Sequence, residues 1–127
     1  MKKYKTIYWI ATGIVAGIML WSALNFALNP EMKEAFTHLG LPGWFRIELT
    51  IAKLLGVAAL TLPMVPATVK EFAYFGFAIV LISAAVAHLS SGDSVLLEIG
   101  HSTFLASLIV SYLYYHKIQK AGLKAAR

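Results

Sequence analysis

The chain contains no cysteine, which removes the thiolate that disulfide exchange requires. Charge is almost as scarce. Asp, Glu, Lys and Arg make up 13% of the 127 residues, where an ordinary soluble domain carries about 25%. Long stretches lack charge altogether: the 25 residues between Lys5 and Glu31, the 21 between Glu71 and Asp93, and the 18 between Glu98 and Lys117. Sustained two-residue alternation with regular turn signals is also missing, and with it the signature of an outer-membrane barrel.

What is present is apolar. Hydrophobic residues are 59% of the chain and the mean hydropathy is +0.72. A body of 13.9 kDa has too little interior to hide that much apolar surface from water, so the bilayer is the expected solvent. A membrane-crossing helix needs about 20 mostly apolar residues. The uncharged runs predict an all-α, integral membrane four-helix bundle in a single domain over 1–127, with spans at 7–28, 45–62, 69–89 and 97–115. The first apolar run, with Trp9 and Trp21 near its ends, is longer than the 7–15 residues of a signal-peptide core, so it too is expected to span. "NPEMKEAF" places Asn29 as an N-cap, Pro30 at the first helical position and acid in the first turn, which predicts a short interfacial helix over 30–39.

The second span is the unusual one. Between Lys53 and Lys70 only 16 uncharged residues occur, and Pro63 and Pro66 interrupt them. The helix can cross only if it begins near Trp44 and carries Arg46, Glu48 and Lys53 within it. Lys53 then lies roughly 12 Å inside the membrane, at 1.5 Å per residue. Gly56, one turn further on, predicts close approach of another helix on that face, as does "GIVAG" (Gly13 to Gly17) in the first span.

Four spans put both termini and the second loop on one side, with Lys2, Lys3, Lys5, Lys70, Lys117, Lys120, Lys124 and Arg127. The other side has Lys33, and Arg46 at its border. Eight against two predicts cytoplasmic termini. The net charge of +5 then reflects topology and attraction to anionic lipid headgroups, and calls for no nucleic-acid partner.

Ionisable residues inside a membrane mark a functional site by default. Lys53, His88, Glu98 and His101, with Asn25 nearby, all map to the outer half of the spans, and the inner half reads as aliphatic. These five are the candidate ligand-binding residues. A headgroup carbonyl could accept from Lys53 or a histidine, with Gly56, Leu60, Gly76 and Ala84 along the tail, so a quinone is the candidate ligand and a plain lipid the alternative. Metal and haem chemistry have thinner support. Glu98–Ile99–Gly100–His101 is a single Glu-x-x-His unit, and di-iron bundles need two plus two more carboxylates. His88 and His101 could ligate a haem from adjacent helices, but two histidines near an interface are common by chance. Tyr112, Tyr114, Tyr115 and His116 read as an interfacial belt.

"LGLPGWFRIELTIAKLLGVAALTLP" followed by "VKEFAYFGFAIVLISAAVAHLSSGD" resembles the DoxX-like membrane proteins, over about residues 20–116. "AKLLGVAAL", "KEFAYFGF" and "AHLSSGD", in that order, are its most specific pieces, and hold Lys53, Lys70, Glu71, Tyr74, Gly76, His88 and Asp93. "LLEIGH" departs from the less charged stretch expected there. The resemblance implies a small bacterial inner-membrane protein of four helices. DoxX-type proteins are linked to thiosulfate:quinone oxidoreduction and to membrane oxidoreductase complexes with soluble partners. The implied role is an accessory membrane subunit of a quinone-linked redox system, with a membrane or soluble redox partner or a second copy of the chain. No catalytic residue follows from it.

Overall fold

The computed structural model describes residues 2–93 and 95–126, without the side chains of residues 94–98 and 123–127. Five helices account for nearly all of it: α1 (Lys2–Leu28), α2 (Pro30–His38), α3 (Gly43–Thr61), α4 (Ala67–Ser90) and α5 (Val95–Ala126). No strand occurs among the described residues. The all-α expectation holds. α5 continues well past 115 because "KIQKAGLKAA" is rich in helix formers, and lysines are favourable in a last helical turn.

α1 packs against α3 and α5, and α4 packs against the same two. Val15, Met19, Leu60, Tyr74, Phe77, Leu81 and Leu108 form the shared core. α2 folds across the end of α1 and the start of α3. Its start is set by Asn29, whose side chain accepts from the Glu31 amide at 3.0 Å, and by Pro30.

α2 and α4 both end in a glycine with φ of 75°, Gly40 and Gly92. Past each glycine the chain turns back on its own helix: Leu41 N–H donates to Phe36 O at 2.8 Å, and Asp93 N–H donates to His88 O at 2.9 Å. These are Schellman caps, which satisfy the last carbonyls and need a left-handed residue. One cap brings Leu41 back over Phe36; the other brings Asp93 back over His88.

The outer surface is strongly apolar. Phe72, Phe75, Leu55 and Trp21 are all at least 66% exposed. α1 and α4 are each long and apolar enough to cross a membrane, and only 17% of the most apolar stretch of α4 is buried. The central helix of a soluble core would be mostly covered, whereas this surface suits lipid tails. The two glycine expectations divide. Gly56 is buried against Phe77 of α4, and a Cβ there would overlap the phenyl ring. Gly13 and Gly17 instead face outward into open space. The face that α1 presents to its neighbours is Tyr8, Thr12, Val15 and Met19.

Candidate functional site

Lys53 is 5% exposed, and its ammonium is directed at α1. Nζ donates to Ser22 Oγ at 2.8 Å and lies 3.6 Å from the centroid of the Phe26 ring. About two turns nearer the start of α3, Arg46 Nη1 donates to Phe26 O, so two cations of one face meet the last turns of α1. Glu48 is exposed, away from the Lys53 face. The side chain of Glu98, another of the candidate ligand-binding residues, lies outside the described residues. Asn25 is spent locally: it donates to Trp21 O at 2.8 Å, and its Oδ1 accepts from Asn29 at 3.4 Å.

His88 and His101 do come together, with ring centroids 5.3 Å apart. Asp93 organises this second group. It accepts from His88 Nδ1 at 2.7 Å and from His38 Nε2 at 3.0 Å. Hydrogen bonds from His88 and then His38 hold the Asp93 carboxyl below the usual carboxylate range. Donation from Nδ1 leaves Nε2 of a neutral His88 as the acceptor nitrogen. His38 ties α2 to the α4–α5 turn, and sequence reasoning missed it because it lies in the surface helix, 55 residues from Asp93. Among the described residues, no three His, Asp or Glu side chains are placed to hold a metal ion. The expected group thus divides into a Lys53 environment between α1 and α3 and a histidine–aspartate cluster at the α4–α5 turn.

Between α3 and α4 a groove of about 350 Å³ opens on the outer surface. Lys53, Gly56, Phe72, Gly76 and Phe77 line it. Its depth comes from small residues: Gly56 admits Phe77, and a Cβ at Gly76 would meet nothing within 4 Å. Of the expected tail-lining residues, Gly56 and Gly76 are here; Leu60 is instead fully buried in the core, and Ala84 is not part of the lining. The Lys53 ammonium has three donors, and Ser22 is its one hydrogen-bond acceptor among the described residues.

The inner half is not aliphatic, contrary to expectation. Thr12 and Ser111 are 0% exposed and share a hydrogen bond of 2.6 Å; Tyr74 OH lies 2.7 Å from the same Ser111 Oγ. Lys70, counted above among the loop charges, is buried. It donates to Ala59 O at 2.8 Å and Leu62 O at 3.0 Å, capping α3 where "PMVP" ends it. Tyr115 packs on Tyr8 and Tyr74, and His116 pairs with Glu71 at 2.6 Å. Unpaired hydroxyls are tolerated singly in apolar runs, so Thr12 and Ser111 gave no signal. The one available clue was that Thr12 shares a face with Tyr8 and Val15.

No curated protein and no solved structure matches the chain. The model of the DoxX-like family matches residues 10–111, a stretch that takes in the groove, the buried polar cluster and the His88–Asp93 turn. By that match the chain belongs to the DoxX-like family.

Proposed function

We propose that the protein is a four-span inner-membrane protein, with both termini cytoplasmic, that binds an amphiphile in the groove between α3 and α4. The ligand we favour is a quinone, bound in an accessory role within a membrane redox system. The observation that carries the reading is the groove itself: apolar along its length, open on the outer surface, and lined at one end by Lys53. An isoprenoid tail fits between Phe72 and Phe77 over Gly76. Lys53 lines the head end of the groove, and a quinone carbonyl accepts from its ammonium once that group swings from Ser22 on α1 toward the groove. The chemistry asked of the chain is binding and orientation. Family membership supports the redox setting, because DoxX-type proteins are linked to quinone reduction.

A second reading, a lipid tail in the same groove with no redox role, is favoured by its nearly all-apolar lining. Titrating a short-tailed quinone analogue and a neutral lipid into the detergent-solubilised protein separates the two. Gly76→Leu fills the groove from an exposed position and should abolish binding of either ligand without lowering stability. Lys53→Met should weaken the quinone by about tenfold, as expected for a lost charge-assisted hydrogen bond, and leave the lipid unchanged. Binding that survives Gly76→Leu would refute the groove.

A further inference from the structure

Near the start of α3, where α2 crosses it, lies a separate pocket of about 370 Å³. Its walls combine two cations, Lys33 and Arg46, with the apolar side chains of Phe36, Leu41 and Ile47. The local folding explains the combination. Lys33 and Phe36 are three apart on α2 and therefore share a face. The Schellman turn at Gly40 carries Leu41 back over Phe36. Arg46 and Ile47 follow in the opening turn of α3.

The guanidinium of Arg46 points to an anion-binding site. Arg46 Nε is shielded from solvent and has no hydrogen-bond partner, although Nη1 of the same guanidinium donates to Phe26 O. A buried charged donor left without an acceptor is rare, and an unfilled ion site is one of its standard explanations. Lys33 is exposed and adds a second positive charge to the same walls. The acids closest in sequence, Glu31, Glu34 and Glu48, are exposed and not part of the lining. The pocket therefore holds two positive charges with no carboxylate in its walls.

Its position indicates what kind of anion. Trp21 and Trp44 are 66% and 67% exposed at this end of the molecule, as interfacial tryptophans are. Ile47 is itself 54% exposed on the outer surface of α3. An occupant would meet cations at the water side and hydrocarbon at the lipid side.

We propose that this pocket binds the phosphate of an anionic phospholipid, with Arg46 and Lys33 on the phosphate oxygens and Phe36, Leu41 and Ile47 against the adjoining glycerol and first acyl carbons. The inference rests on membrane embedding and not on the quinone groove. Arg supplies planar, two-pronged recognition of phosphate, and Lys adds a point charge. α2 is thereby held to the membrane surface through the lipid as well as through its own contacts.

The test uses the full chain in a neutral detergent, titrated with dihexanoyl phosphatidylglycerol, dihexanoyl phosphatidylcholine or inorganic phosphate, with bound species counted by native mass spectrometry. Phosphatidylglycerol should bind one site, at least about fivefold tighter than phosphatidylcholine, the scale of one lysine–anion interaction at a membrane surface. Lys33→Gln, an exposed change, should lose about the same factor, Lys33→Arg should restore it, and Arg46→Gln should lose more. Gly76→Leu should leave this binding untouched, which separates the pocket from the groove. Equal binding of the two lipids, or Lys33→Gln binding as the unaltered protein does, overturns the proposal. Inorganic phosphate binding as tightly as phosphatidylglycerol also overturns it, in favour of a free-anion site.

Discussion

In the proposed four-span arrangement α3 crosses the membrane, and a lysine near the middle of such a helix costs about 2.5–3.5 kcal/mol on insertion scales. At Lys53 two contacts from α1 oppose that cost. A hydrogen bond from a charged donor contributes about 1.5–3 kcal/mol, and a desolvated ammonium over an aromatic ring contributes about 2 kcal/mol. Ser22 and Phe26 together offset much of that cost and hold the Lys53 side chain against α1. The prediction is specific to that pairing. Ser22→Ala should destabilise the protein by about 1.5–3 kcal/mol when Lys53 is present and by less than about 0.5 kcal/mol in the Lys53→Met background. Unfolding in detergent across this double-mutant cycle measures the coupling. A coupling near zero would mean that the ammonium does not rely on Ser22.

At the scale of elements, the turns between helices place the polar groups. The cap of α4 depends on Gly92 at φ of 75° and returns Asp93 to His88, while His38 reaches the same carboxylate from α2. Because the folded Asp93 titrates lower than it does unfolded, its contribution to stability is present above the unfolded carboxylate range. That contribution is lost as pH falls through the folded value. Asp93→Asn should accordingly be less stable than the unaltered protein at pH 6, with the difference closing on acidification below about pH 4, the ordinary carboxylate range. A difference that stays constant down to pH 2 would show that Asp93 has no such role. Much at this scale was legible in the chain. Charge-free runs marked the long helices, and Asn29–Pro30 marked the start of α2. Gly56 announced a close helix contact because a small residue one turn from an embedded lysine has few other uses. The cross-helix partners were not legible. Ser22, Thr12 and Ser111 are ordinary residues until folding brings Lys53, Tyr74 and each other within hydrogen-bond distance. "GIVAG" misled because a small-residue spacing states that a close approach is sterically open, and not which way the face points.

For the whole molecule, lipid changes which forces count. Between helices in a bilayer, association rests on packing and interhelical hydrogen bonds, since the lipid tails are as apolar as the core. The Thr12–Ser111–Tyr74 cluster joins α1, α5 and α4 at the end that carries both termini, and Lys70 ties α4 to the end of α3. The pocket beside α2 lies toward the other half, and the groove runs between the two, from Lys53 and Val80 to Ala59 and Val69. Lys70 is a buried cap and drops out of the charge count, leaving seven Lys and Arg on the terminal side against Lys33 and Arg46. Seven against two still predicts cytoplasmic termini. A reporter active only in the periplasm should give signal when inserted at Asp93 and none at the C-terminus; the reverse pattern would invert the molecule. The most direct test of the account as a whole is a photoreactive quinone analogue applied to the protein in lipid nanodiscs, with the labelled peptides mapped. Label should fall on α3 and α4 around Phe72, Gly76 and Phe77 and disappear in Gly76→Leu. Label confined to α1 and α5, or unchanged in Gly76→Leu, would contradict the proposed site.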